Sequence, residues 1–377
     1  MNKLDELVKQ GWTRRFAKHY LDDFENEDTA TCFDPIYRAW AHENGFKVES
    51  AYAYGLNNEN ISLYLSDYDY YKCFPINDWT RIWVNDKLTL KYMLSNTIYD
   101  NFMPRYYYYS SANGLRALVD NPIKGDSIDD FIQVLNTQKE FACKPNNGAM
   151  ARGFVKMSYE NGEYRINGKV VGKAEIESFV MSNPNYIYTE YIYPSRHFKR
   201  YGNQIHTLRI VTLNERGNNP VIKGGYLRLP NPTSGEANFN VLTGEDTEAY
   251  NLLVRINFET GEYGDAKRVY VNRIENCMEF DGHTNISGVI ENYKQLTDIV
   301  LGIAGRFATL EWLGFDIGVT DAGFKCMEIN TLPGIKYMQV FNPILGDKQL
   351  NQFFANKIKQ VDTLLPNEIS IRNNILR

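Results

Sequence analysis

Gly314-Phe315-Asp316-Ile317-Gly318-Val319-Thr320-Asp321-Ala322-Gly323-Phe324-Lys325-Cys326-Met327-Glu328-Ile329-Asn330-Thr331-Leu332-Pro333-Gly334 reads as two short strands joined by a tight turn. Phe315, Ile317 and Val319 alternate with smaller or polar residues, the period of a half-buried strand. Asp321-Ala322-Gly323 supplies the turn, and a second strand runs from Phe324 to Ile329. If the strands pair, Asp316 approaches Glu328 and Asn330, which lie two apart and share a face. Three hard oxygen ligands at one spot suit Mg²⁺ that also binds phosphate oxygens. Taken alone, the same residues describe an ordinary surface hairpin with a wet polar face.

The remainder of the 377-residue chain is long enough for two or three subdomains. Hydrophobic residues make up 43% and charged residues 23%, which excludes a disordered chain. A net charge of −5 argues against a nucleic-acid groove as the main site. The five cysteines are scattered, with no C-x-x-C spacing, so a zinc site is not expected and a reducing compartment is. No apolar run approaches the ~18 residues of a membrane span, and the charged start Met1-Asn2-Lys3-Leu4-Asp5-Glu6 lacks the apolar core of a signal peptide. A cytoplasmic protein is expected.

Upstream of the hairpin, residues 1 to about 50 are expected to be helical from the spacing of Leu4, Leu7, Trp12, Phe16 and Tyr20. Residues 51 to 85 read as short aromatic strands and turns, giving a small α/β region. Asp86 can cap a helix on which Lys87 and Lys91 lie one turn apart, a basic face that is either solvated or turned to an anion. A helix is expected over 111 to 135. An apolar strand then delivers Lys144-Pro145, followed by a loop, Asn146-Asn147-Gly148-Ala149-Met150-Ala151-Arg152-Gly153, and another strand from Phe154. Such a loop can fold backbone N–H groups over phosphates, although it lacks a Walker A ending, and a plain hairpin turn remains open. Asn167-Gly168 marks a hairpin and residues 174 to 182 a helix. Strands carrying Glu190 (186–193), Arg209 (206–213) and Arg228 (221–229) follow. Further strands are expected near 239 and over 251–258, with helices over 286–313 and 347–365.

The order of these pieces resembles the ATP-grasp superfamily, which includes D-alanine–D-alanine ligase and other carboxylate–amine ligases. It is similar to the sugar-transfer associated ATP-grasp subgroup in particular. His206-Thr207-Leu208-Arg209-Ile210-Val211-Thr212 matches that subgroup's Asn-Thr-Leu-Arg-Ile-(Val)-Thr segment, and Gly314-Phe315-Asp316-Ile317 with Glu328-x-Asn330 matches its closing segment. The resemblance spans about residues 80 to 340. It implies an α+β fold with two subdomains gripping ATP. The segments expected are an N-terminal α/β domain at 1–95, a lid subdomain at 96–195 and a metal-bearing subdomain at 196–377.

By the same resemblance, Lys87, with Lys91 as its fallback, and Lys144 reach the nucleotide phosphates beneath the lid loop of Asn147, Gly148 and Arg152. Glu190, Tyr191 and Ile192 form the adenine hinge, Arg209 contacts the transferring phosphate, and Asp316, Glu328 and Asn330 hold Mg²⁺. Arg228 is a candidate anchor for a substrate carboxylate or acyl phosphate, because its planar fork suits either, though a surface strand arginine reads the same way. Two places depart from the pattern. His197 stands where the ligases have a ribose-binding carboxylate, and Ala237-Asn238-Phe239-Asn240-Val241-Leu242-Thr243-Gly244 lacks the subgroup's aspartate and glycine pair. The implied activity is ATP-dependent carboxylate–amine ligation through an acyl phosphate, with small-molecule carboxylate and amine substrates in cell-surface polysaccharide or secondary-metabolite assembly. A phosphotransferase and a nucleotide-binding protein without turnover are the alternatives. Homodimers are common in the superfamily.

Overall fold

A computed structural model describes residues 2–148, 153–232 and 247–374. Arg152 of the lid loop and the segment Ala237–Gly244, with the strand expected near 239, lie outside the described residues. The chain clusters into two units, each discontinuous in sequence. The first comprises 1–81, 200–315 and 330–377; the second comprises 82–199 and 316–329. The expected segments 1–95, 96–195 and 196–377 run consecutively instead. The difference arises because the N-terminal residues share a core with the C-terminal strands and helices.

Helices α1 (Lys3–Lys9), α2 (Arg14–Thr29), α3 (Pro35–Glu43), α4 (Val48–Tyr54) and α5 (Asp67–Lys72) come first, followed by α6 (Ile82–Asn85) and α7 (Lys87–Leu94). No strand precedes Tyr106 among the described residues, so the expected α/β character of the N-terminal region is corrected to helical. The tyrosines there satisfy their preference for burial on helices. Ser66 caps α5 by accepting from Asp69 N, and α5 buries Tyr70 edge-on against Phe354, ring centroids 5.9 Å apart. Aromatic β-propensity is largely a preference for half-buried surface, which a helix packed on a core also supplies.

The second unit holds β1 (Tyr106–Ser111), β2 (Gly114–Ala117), α8 (Ile128–Gln138), β3 (Glu140–Pro145), β4 (Val155–Glu160), β5 (Glu163–Ile166), β6 (Lys169–Val171), α9 (Lys173–Ser182) and β7 (Tyr186–Glu190). Its strands form an antiparallel sheet in the order β2-β1-β7-β3-β4-β5-β6. The tyrosine run 106–109 is the buried strand β1. The helix expected over 111–135 is instead a hairpin strand and then α8, which starts at a capping box on Ser127 and Asp130. Phe131, Leu135, Ile176 and Val180 from α8 and α9 build the core with Phe141, Met157 and Tyr188 of the sheet.

The larger sheet contains β8 (Thr207–Leu213), β9 (Val221–Leu229), β10 (Tyr250–Ile256), β11 (Glu262–Tyr270), β12 (Ile274–Cys277), β13 (Gly288–Val289), β14 (Trp312–Thr320) and β15 (Gly323–Asn330). Its order is β12-β11-β10-β9-β8-β14-β15, with β13 on β11. Helix α10 (Tyr293–Arg306) precedes β14, while α11 (Lys336–Gln339), α12 (Lys348–Asp362) and α13 (Pro366–Asn374) close the chain. The helix expected from 286 begins only at Tyr293, because Gly288 and Val289 pair with Tyr263 and Glu262 and Asn292 takes a left-handed φ of 56°. The backbone at Gly225 sits so close to β8 that a Cβ there would lie 1.9 Å from the Arg209 carbonyl oxygen, so only glycine fits.

No helix among the described residues is long and apolar enough to cross a membrane.

Candidate active site

Helix α7 begins where the sequence predicts it. Asp86 caps it, accepting from Thr89 N at 2.8 Å. The other oxygen of Asp86 accepts from the side-chain amides of Asn146 at 2.6 Å and Asn147 at 3.3 Å. Asn146 also accepts from the helix's first turn, taking Leu88 N on its side-chain oxygen at 2.9 Å and Lys87 N on its carbonyl at 3.4 Å. The start of α7 and the exit of β3 are therefore one hydrogen-bonded assembly within the second unit. Asn146 had no assigned role in the sequence reading; its signal is the asparagine pair directly after Lys144-Pro145.

This assembly aims Lys87. Its ammonium donates to the Gly148 carbonyl at 2.6 Å and lies 3.8 Å from Glu328 Oε1. Lys144, delivered by β3, donates to the Met327 carbonyl at 3.4 Å. Both lysines thus meet β15 at residues 327 and 328. Burial pulls the Lys144 pKa down to about 8, and the neighbouring Lys87 charge pulls the same way, with Glu328 opposing both. The Lys87 pKa is also lowered by burial, against the pull of Glu328 and Asp86. Two desolvated ammonium groups thus stand close together, an arrangement that an anionic ligand would stabilise.

Lys91 is placed differently. Its side chain is sealed between Asp100 at 2.9 Å and Asp120 at 2.8 Å, with the Tyr106 ring 5.8 Å away. The fallback role for Lys91 is thereby replaced by a structural ion pair.

Asp316 on β14 and Glu328 on β15 lie on neighbouring strands, and Asn330 shares the face of Glu328 two residues on. No cluster of three or more His, Cys, Asp or Glu side chains poised for a metal occurs among the described residues. The donor set here is two carboxylates and an amide. It fits Mg²⁺, which takes one or two carboxylates and completes its shell with phosphate oxygens and water. Cys326 lies between them in sequence, and burial beside Asp316 pushes its thiol pKa well up, so it stays neutral.

A model of the family described as "Sugar-transfer associated ATP-grasp" matches residues 80–353. The chain belongs to this family. Solved structures similar to it include an L-amino acid ligase from Bacillus licheniformis, at 11% identity, 74% coverage of this chain, 48% of that one and a TM-score of 0.38. A D-alanine–D-alanine ligase from Bacillus anthracis complexed with ATP gives 14%, 78%, 68% and 0.33. D-alanyl-alanine synthetase A from Vibrio cholerae O1 biovar eltor gives 13%, 76%, 65% and 0.39. The chain spans about half the length of the first of these. No curated protein sequence matches it. The assignment rests on the family match over residues 80–353, and the fold is α+β.

In this ATP-grasp chain Glu190 ends β7, and Tyr191 and Ile192 continue beyond it without regular structure. The Glu190 carboxylate accepts from Arg105 N at 3.1 Å and lies 3.8 Å from Lys325 Nζ. Lys325 also donates to the carbonyls of Asn101 and Met103 at 3.0 and 3.1 Å, which fastens β15 to the segment entering β1. Beside this segment, Lys156 pairs with Glu140 at 2.6 Å, donates to Tyr193 Oη at 2.8 Å and lies 4.4 Å from the Tyr191 ring centroid. Neither Lys156 nor Lys325 was singled out from sequence; each is an ordinary strand lysine until its partners are known.

Arg209 and Arg228 belong to the first unit. β8 and β9 pair so that Arg209 stands opposite Tyr226 and Thr207 opposite Arg228. Both arginines are buried on the same sheet face.

Proposed function

We propose that this ATP-grasp chain is a carboxylate–amine ligase that makes an acyl phosphate and passes the acyl group to an amine. The observation that carries the reading is that Lys87 and Lys144 both meet β15, at Glu328 and at the Met327 carbonyl, within a chain of this family. A carboxylate oxygen of the substrate attacks the terminal phosphorus of ATP, the bond to the β-phosphate oxygen breaks and ADP leaves. The neutral amine then attacks the acyl carbon, phosphate departs and one proton is lost from nitrogen. Phosphoryl transfer asks the protein mainly for positioning and charge stabilisation. In this reading Lys87 and Lys144 orient the phosphates, and Asn146 holds Lys87 against the lid loop. The backbone after Glu190 reads the adenine edge. Asp316, Glu328 and Asn330 would hold Mg²⁺, which supplies charge neutralisation at the phosphate oxygens when bound.

The family name supports a role in building cell-surface polysaccharide, with an amino acid or amine attached to a sugar acid. The deciding experiment screens amino acids and sugar acids for ADP release, with mass spectrometry of the product and hydroxylamine present in parallel. A ligase releases ADP and yields a hydroxamate, because hydroxylamine captures acyl phosphates. A stable phosphorylated product without hydroxamate would instead establish the phosphotransferase alternative.

A further inference from the structure

Glu140, Ala142 and Lys144 share one face of β3, because side chains alternate along a strand. Phe141 and Cys143 take the other face, in the core built with α8 and α9. Lys144 and Glu140 are separated by a rise of roughly 13 Å along the strand. Lys144 carries the ammonium read above as meeting phosphate, so Glu140 stands about the length of an extended nucleotide away from it. Ala142, the smallest side chain of the row, lies between them.

A closed cluster occupies the Glu140 end. Ala142 pairs with Lys156 of β4, which puts Lys156 on the diagonal to Glu140. The two form an ion pair at 2.6 Å. Tyr193 Oη accepts from Lys156 at 2.8 Å and donates to Glu140 at 2.9 Å. The ammonium lies 4.4 Å from the Tyr191 ring centroid and 5.3 Å from that of Tyr193, both within cation–π range. The centroids of these two rings are 5.0 Å apart. Burial pulls the Lys156 pKa down, but its hydrogen bonds to Glu140 and Tyr193 outweigh this and raise it, so the ammonium keeps its charge.

An ordinary cross-strand pair on a half-exposed face would end at Glu140 and contribute little. This one reaches out of the ladder. Glu190 is the last residue of β7 and stands opposite Phe141, so Tyr191 and Tyr193 lie past the final rung. Two rings gathered on one cation set the course of the chain there.

We propose that Lys156 is a positioning residue for nucleobase recognition. Paired with Glu140, it gathers the Tyr191 and Tyr193 rings and so holds the backbone of residues 191–193 in place to read the base. Its link to a base rests on the nucleotide reading above; the cluster itself rests on contacts within the second unit. Loss of Lys156 acts on the base and spares the lysines that meet phosphate.

The test measures binding by calorimetry for wild-type protein, Lys156→Met, Lys156→Arg and Tyr193→Phe. The probes are Mg·ATP, Mg·GTP and magnesium tripolyphosphate, which offers the phosphates without a base. Lys156→Met should weaken ATP binding about tenfold, the scale of one partly desolvated cation–π contact, and change tripolyphosphate affinity less than about twofold. The preference for ATP over GTP should shrink with it. Lys156→Arg should recover most of the loss, because a guanidinium can pair with Glu140 and stack on tyrosine. Tyr193→Phe keeps the ring and loses only Oη, so it should give a smaller loss of the same pattern, and it carries the test if Lys156→Met does not fold. Equal ATP affinity in wild type and Lys156→Met would overturn the proposal and leave the nucleotide reading intact, as would equal losses for ATP and tripolyphosphate. Absence of ATP binding by the wild-type protein would remove the nucleotide reading and the proposal together.

Discussion

Asn146 donates its side-chain amide to Asp86 Oδ2 at 2.6 Å, joining the cap of α7 to the exit of β3. The contact makes the aim of Lys87 depend on a residue with no chemistry of its own. Asn146→Ala removes that bond and the acceptor for Leu88 N. It should cost about 2 kcal/mol of stability, the sum of two ordinary hydrogen bonds. On the proposed reading it should also raise the KM for ATP more than it lowers kcat, because Lys87 keeps its charge and loses its orientation. Denaturant melts and steady-state ADP release check both.

Glu328 faces Lys87 at 3.8 Å, and Lys144 donates to the carbonyl of its neighbour Met327. Glu328→Gln keeps the shape and removes the charge. ADP formation should fall by about 10²–10³-fold, the scale for losing one preorganised electrostatic group. The circular dichroism spectrum should be unchanged. Turnover like that of wild type would remove Glu328 from the site.

Burial holds the Lys144 pKa at about 8, below its ordinary 10.5. Between these values the unfolded chain binds more protons than the folded one, so the stability of the nucleotide-free protein should rise with pH across this window. Nucleotide binding should show the opposite trend. The ammonium that meets phosphate is lost as pH passes 8, so ATP affinity should fall from pH 7.5 to 9.5. Lys144→Met should flatten both profiles. Calorimetry at four pH values measures the affinity, and thermal melts measure the stability.

Lys91 is buried between Asp100 and Asp120. Lys91→Met would leave two carboxylates facing each other, and both are partly exposed, so the loss should be about 3 kcal/mol, the lower end for breaking a buried pair. The KM for ATP of the folded fraction should stay within about twofold of wild type, because the ammonium is engaged by Asp100 and Asp120. A urea melt and a KM measurement distinguish this from a phosphate-binding role.

Gly225→Ala would press a Cβ to 1.9 Å from the Arg209 carbonyl oxygen. The strands would have to separate, at a cost of more than about 3 kcal/mol, typical of a backbone clash in a buried sheet. A sharply lowered melting midpoint or insoluble expression is expected.

What the linear order determined was the family and the local elements that carry it. The Asp86 cap, the Lys144-Pro145 strand exit, the Asn167-Gly168 hairpin, the strand of Arg209 and the paired strands of Asp316 and Glu328 are short-range patterns, readable from periodicity and turn chemistry. The N-terminal tyrosines were misread as strands because burial preference does not say which element will satisfy it; only the helical core shared with the C-terminal segment decides that. The same limit applies to charge. Lys87, Lys91, Lys144 and Arg228 are all basic residues on helices or strands in the sequence. Tertiary packing alone closes Lys91 between two aspartates, brings Lys87 and Lys144 to β15 at residues 327 and 328, and buries Arg228 on the sheet. A side chain's chemistry is local, but its partners come from segments tens or hundreds of residues away, and those partners decide whether a charge supports the fold or is left available for a ligand.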